Sequence, residues 1–262
     1  MGMQVTTLMW MRTTMNYQYR HGTTTSQAIK HLYKEGGLPR FYKGYLPAMF
    51  QGPLSRFGDT AANAGIMALL DSNDTLRNLP VMVKTVASSA TAALWRIALM
   101  PIDTCKTIMQ VEGNQGFKIL ANKVKVGGVP VLYHGALGSY AATFVGHYPW
   151  FATFNFLSAS IPNPDDLWLK LSRNAFIGFS CSAVSDCISN SLRVIKTTKQ
   201  TTKEPISYRG AVRMILEKDG AMGLFGRGLK TRLLCNGLQG MLFVVLWKGM
   251  EEALLNRYGE YF

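Results

Sequence analysis

Asp103 and Lys106 stand three residues apart in the stretch PIDTCKTIMQ, residues 101–110, at the end of an apolar run that begins near Val86. On a helix that spacing makes an acid and a base neighbours, and Pro101 sets both just beyond a kink. They either satisfy each other or reach for partners on adjacent helices. Arg96 and Asp186 raise a related question, because a charge within an apolar run is costly unless paired or wet. They either neutralise one another across a helix interface or face a cavity separately, where they suit a solute bearing an anionic and a cationic group. Ser55, Asp59 and Asn63 recur every four residues, a polar stripe that should face water. His147, in GHYPW, carries a ring that titrates near neutral pH, and beside a kink its ordinary partner is a neighbouring carbonyl.

Other chemistries find no support. No nucleophile, base and oxyanion donor combine, so no catalytic residue is assigned and the chain is not read as an enzyme. There is no GxxxxGK[ST] phosphate loop. Cys105, Cys181, Cys187 and Cys235 lie in apolar segments without CxxC spacing, which implies neither a metal site nor a disulfide framework. The net charge of +13 suits anionic headgroups or solutes. The bases are spread along the chain and form no patch interleaved with aromatics, so nucleic acid is not an expected partner. The start lacks the basic region and small-residue site of a cleavable signal, and the initial MG has no polybasic support for acylation.

The elements that must carry these residues are helices. Hydrophobic residues make up 48% of the chain against 16% charged, a balance that leans toward the membrane. A mean hydropathy of only +0.06 requires the helices to keep polar faces. Self-similarity sets the plan. SLRVIKTTKQ (191–200) echoes 101–110, with Lys196 and Gln200 where Lys106 and Gln110 stood, and TLMWMRTTMN (7–16) is a fainter copy with Arg12 as its base. Glycine-rich tails follow: EGGLPRFYKG (35–44), VGGVPVLYHG (126–135) and DGAMGLFGRG (219–228). From base to closing glycine the spacing is 32, 29 and 32 residues. Apolar runs of bilayer length follow each tail and precede the second and third motifs, so each block reads as a membrane helix, a surface helix and a second membrane helix.

These blocks resemble the signature of the mitochondrial carrier family, P-x-[DE]-x-x-[KR]-x-[KR]-x-Q with a later [DE]-G…[KR]-G element, over nearly the whole chain. The resemblance implies an all-α membrane protein: six tilted transmembrane helices in three pseudo-symmetric repeats around a central cavity. The repeats would span residues 1–73, 74–164 and 165–262. Six residues precede Thr7 against an apolar lead of about 20 elsewhere, so the first repeat is expected to be N-terminally incomplete and its helix truncated. The implied location is the mitochondrial inner membrane, multi-pass, with a substrate site near the midplane.

In the family the acid of one motif pairs with the base of the next, closing the matrix side of the cavity. Here that gate would comprise Arg12, Asp103, Lys106, Arg193 and Lys196, braced by Gln110 and Gln200. Asp103 is expected to reach Lys196 and Lys106 to face the first repeat. Met9 and Arg193 stand where acids belong, so Lys106 lacks its acid and Arg193 is placed to repel Arg12; Thr7 and Ser191 replace the prolines. The cytosolic gate reduces to Lys248 and Glu251, in reversed charge order. Family contact positions and their surroundings assign substrate binding to Gln51, Gly52, Ser55, Arg56, Asp59, Arg96, Thr143, Gly146, His147, Asp186, Asn236 and Gln239. Arg56 and His147 both lie twelve residues after a closing glycine. No cofactor is expected, but the tails offer free N–H groups beside Arg or Lys, which suits phosphate and in the family corresponds to cardiolipin. The function implied is transport of a small polar or charged metabolite by alternating access. A second reading keeps the scaffold as a structural subunit of a larger inner-membrane (respiratory) complex, motivated by the decayed gates and short first helix.

Overall fold

The computed structural model describes residues 2–72, 79 and 81–242. Every regular element among them is helical: α1 Gly2–His21, α2 Thr25–Phe41, α3 Tyr45–Asp71, α4 Val81–Ala98, α5 Met100–Glu112, α6 Gly116–Gly127, α7 Ala136–Ser160, α8 Leu167–Thr201 and α9 Tyr208–Gly226. Residues 229–242 form a further helix, α10.

Local chemistry explains the starts. Thr24 accepts from Gln27 N while the Gln27 side chain accepts from Thr24 N, a reciprocal cap that opens α2. Asp166 and Ser207 cap α8 and α9 through Leu169 N and Gly210 N, both at 3.0 Å. The closing glycines of the three tails all hold left-handed backbone, with φ of 81° at Gly44, 91° at Gly135 and 66° at Gly228. Each also lies hard against another helix. A Cβ on Gly44 would meet Lys106 O at 2.9 Å, one on Gly135 the Gln200 side chain at 2.9 Å, and one on Gly228 the Tyr19 ring at 2.7 Å.

Prolines lie inside α3 at Pro53 and α7 at Pro149, and both helices run on, but the motif helices differ at their proline position. The chain is interrupted at Leu99 and restarts with Pro101 in the first turn of α5, where its missing N–H costs nothing. Ser191 occupies the matching place in α8, which runs unbroken for 35 residues, and α1 passes Thr7 without a break.

Helices α1, α5 and α8 pack pairwise against one another, and α3, α4, α7 and α8 pack in succession around them. The C-terminal carbonyls of these three helices are capped by a base from another segment. Arg40 donates to Gln110 O and Val111 O at 2.8 and 2.7 Å, Lys123 to Gln200 O at 2.9 Å, and Arg227 to Tyr19 O at 3.3 Å. Apolar packing is confined to small clusters such as Val5, Met9 and Ala48, or Tyr19, Val194 and Ile215. Large apolar side chains instead lie outside: Phe50, Phe57, Phe176 and Leu234 are all more than half exposed.

Apolar length alone does not mark the expected membrane spans. Among the described residues no helix is long and apolar enough to cross a membrane. The reason lies in the inward faces, where Arg56 and Asp59 interrupt α3 and serines and threonines are spread along α8.

Candidate functional site: a charged central cavity

A cavity of about 460 Å³ lies between α1, α3, α4, α5, α7, α8 and α10. All twelve residues assigned to substrate binding line it: Gln51, Gly52, Ser55, Arg56 and Asp59 from α3; Arg96 from α4; Thr143, Gly146 and His147 from α7; Asp186 from α8; and Asn236 and Gln239 from α10. Of the matrix-gate set, Arg12, Asp103, Lys106, Gln110, Arg193 and Lys196 line it, whereas Gln200 does not. Lys248 and Glu251 lie outside the described residues.

Asp103 resolves both alternatives of its spacing at once. One carboxylate oxygen is 2.7 Å from Lys106 Nζ in the same helix, and the other is 2.6 Å from Lys196 Nζ on α8. Lys106 therefore does not lack an acid, and it also donates to Gln51 Oε1 of α3 at 3.2 Å. Beneath, Asn16 donates to Gln110 Oε1 at 2.5 Å and Gln110 donates to Met9 Sδ at 3.5 Å, linking α1 to α5. Gln200 is buried and donates to Thr104 Oγ1 at 3.1 Å, joining α8 to α5.

Arg96 and Asp186 do not neutralise one another. Arg96 pairs with Asp59 at 2.6 Å, because α3 and α4 are neighbours. Asp186 pairs with Arg232 of α10 at 2.6 Å, accepts from Asn236 and lies 4.0 Å from Arg193. Arg12 and Arg193 turn to separate partners: Arg12 donates to Gln239 Oε1 at 3.1 Å and Arg193 to Ser189 Oγ at 3.3 Å. The ring Nδ1 of His147 meets the Ser89 hydroxyl of α4 at 2.9 Å, a side chain in place of the expected carbonyl. Small residues permit that closeness: Ala92 and Ala93 are buried in α4, and Ser185 donates to Gly146 O at 2.7 Å between α7 and α8. Ser55 is buried with a hydroxyl that has no partner among the described residues.

Sequence reasoning missed Arg232, Trp150, Ser139, Ser182 and Ser185 of the lining. For Trp150 a signal existed, since it stands fifteen residues after Gly135 as Asp59 does after Gly44. Arg232 falls four after Gly228, where the other tails give Ala48 and Ser139, so no repeated charge announced it.

Outside the cavity, the tails are also held by ions. Arg40, almost wholly buried, pairs with Glu35 at 2.9 Å, and Arg227 pairs with Asp219 at 2.6 Å. Burial pushes the Lys123 ammonium down to about 8, against a modest opposing pull from Glu112. Among the described residues no group of three or more His, Cys, Asp or Glu side chains could hold a metal ion.

An all-helical chain with a charged interior and an apolar exterior is the class that fold and site define. Residues 77–164 match the mitochondrial carrier protein family. Over 236 residues the chain is 25% identical to the calcium-binding mitochondrial carrier SAL1 of Saccharomyces cerevisiae, covering 79% of this chain and 43% of that protein. Over 183 residues it is 24% identical to peroxisomal adenine nucleotide transporter 1 of the same organism, covering 56% of each. The chain thus spans about half the length of the curated relatives it matches. The chain is thus similar, at low identity, to mitochondrial carriers.

Proposed function

We propose that this protein is a solute carrier that moves a small, polar, charged metabolite across the mitochondrial inner membrane by alternating access. One observation carries this reading: charged residues line a central cavity while Phe50, Phe57, Phe176 and Leu234 face outward. Water-soluble folds rarely place apolar side chains outside and ions inside. A bilayer favours that inversion, and a wet cavity removes the penalty on the ions. The repeats 1–73, 74–164 and 165–262 are read as three units of two membrane helices each. The closing glycine of each lies against the motif helix of the next, α5, α8 and then α1, a cyclic order that favours a closed ring.

In this reading Asp103 and Lys196 form the latch at the matrix side, opened when water and solute replace their contact. Arg96, Asp59, Arg232 and Asp186 present both signs of charge to the solute. Gly44 and Gly228 start their helices beside Lys43 and Arg227, basic groups suited to cardiolipin phosphate. The relatives named as a mitochondrial carrier and as an adenine nucleotide transporter agree with transport, and one of them is peroxisomal. The test is uptake into cardiolipin-containing liposomes by the full chain against a panel of phosphorylated and carboxylated solutes. Saturable uptake supports the carrier, and its absence from folded protein counts against it.

A second reading, a carrier scaffold serving as a structural subunit of a respiratory complex, is favoured by the gate. Among the described residues only Asp103 joins two motif helices by an ion pair, through Lys196. Comigration with such a complex on a non-denaturing gel, with no uptake in liposomes, would decide for it.

A further inference from the structure

The charges of the cavity do not balance. Among the described residues seven cations line it against three carboxylates. Asp59 answers Arg96, Asp103 is shared between Lys106 and Lys196, and Asp186 is taken by Arg232 with Arg193 left at 4.0 Å. Arg12 meets no carboxylate of a described residue; its guanidinium donates to the carboxamide of Gln239. Arg56 makes no ion pair with a described residue either. Cations drawn together out of bulk water repel one another unless negative charge is brought among them. Among the described residues the lining holds no further carboxylate. Asp103 sits three residues before Lys106, but the same offset from Arg12 and Lys196 gives Met9 and Arg193. Met9 is fully buried against Val5 and Ala48 and cannot be exchanged for another group without moving α1.

We propose that an anion of two or more charges, phosphate-like or polycarboxylate, bridges Arg12 on α1 and Arg193 on α8 and supplies the negative charge the chain lacks. Both guanidiniums line the cavity and both keep donors that no carboxylate among the described residues takes. Their helices pack directly on one another through Met15, Tyr19 and Val194. The occupant then does what carboxylates at positions 9 and 193 would do: it holds α1 against α8, so the closed form depends on an anion. This deepens the carrier reading by naming the solute's class, and it can be tested without transport.

The experiment is thermal unfolding of the full chain in mild detergent with cardiolipin, titrated with inorganic phosphate and with citrate at constant ionic strength. We expect a saturable rise in Tm of about 5 °C or more, the size that tight binding to the folded form gives a chain of this length. Chloride at the same ionic strength should not reproduce it. Arg12→Gln and Arg193→Gln should each lose most of the rise. Arg213→Gln, on an exposed pair with Glu217, should keep it. No saturable rise in the parent, or a full rise in both glutamine variants, overturns the proposal. A saturable rise in protein that moves no solute into liposomes supports the anion site and removes the transport reading. Uptake with no anion-dependent rise does the reverse.

Discussion

Asp103 is the residue on which two helices depend. It is 7% exposed and holds Lys106 and Lys196 at 2.7 and 2.6 Å. Removing one member of a buried ionic group costs about 3–5 kcal/mol, because the partners keep their desolvation penalty without its compensation. We expect Asp103→Asn to lower stability by about that much in thermal or denaturant unfolding; a loss under 1 kcal/mol would mean that water already screens these charges. Arg40 invites a parallel test. Its guanidinium serves Glu35 and two carbonyls at once, a fork that an ammonium cannot copy. Arg40→Lys should therefore lose about 1–3 kcal/mol, the cost of stranding a buried acceptor. Spacing alone made Asp103 and Lys106 neighbours, and repeat phase brought in Lys196. Spacing left open the mates of Arg96 and Asp186, because a partner on another helix depends on which helices are adjacent. Arg232, matched in register by Ala48 and Ser139, could be found only in three dimensions.

At the scale of the element, one matched position separates a broken motif helix from a continuous one. Pro101 restarts the chain at α5, while Ser191 lets α8 run through. Ser191→Pro should cost about 3 kcal/mol by removing a bond to Cys187 O and crowding that carbonyl. Unchanged unfolding would show that α8 bends there without help. The bases that cap the helix ends give a second test. Lys123 donates to Gln200 O, and burial holds its ammonium down to about 8 in the folded chain. Between that value and the ordinary lysine range the unfolded chain binds the proton more tightly, so this group's contribution to stability grows as pH rises through that window. The parent should gain Tm relative to Lys123→Met from pH 8 to 10, and parallel pH curves would contradict the burial. Helix positions were legible because caps, closing glycines and apolar runs agree. The break at Leu99 was legible from Pro101 alone. The mutual capping of α5, α8 and α1 was not, since carbonyls carry no sequence signal.

At the scale of the whole molecule the chain is inverted, with ions within and aromatic and aliphatic side chains without. The same inversion explains why hydropathy understates it. A helix that gives one face to a wet cavity averages toward neutrality, and among the described residues none passes as a span on apolar length. The phased motifs place Asp103 and Lys196 on α5 and α8 within reach of one another, a contact that hydropathy does not record. The central claim is that this inverted bundle carries a charged solute. The most direct measurement is exchange of labelled phosphate-bearing and polycarboxylate solutes by the full chain in cardiolipin liposomes, beside Arg96→Gln in protein matched for thermal unfolding. The account predicts saturable exchange in the parent and at least a tenfold loss, about 1.4 kcal/mol of solute interaction, in Arg96→Gln, whose parent side chain lines the cavity paired with Asp59. No exchange of any solute by folded parent protein would contradict it.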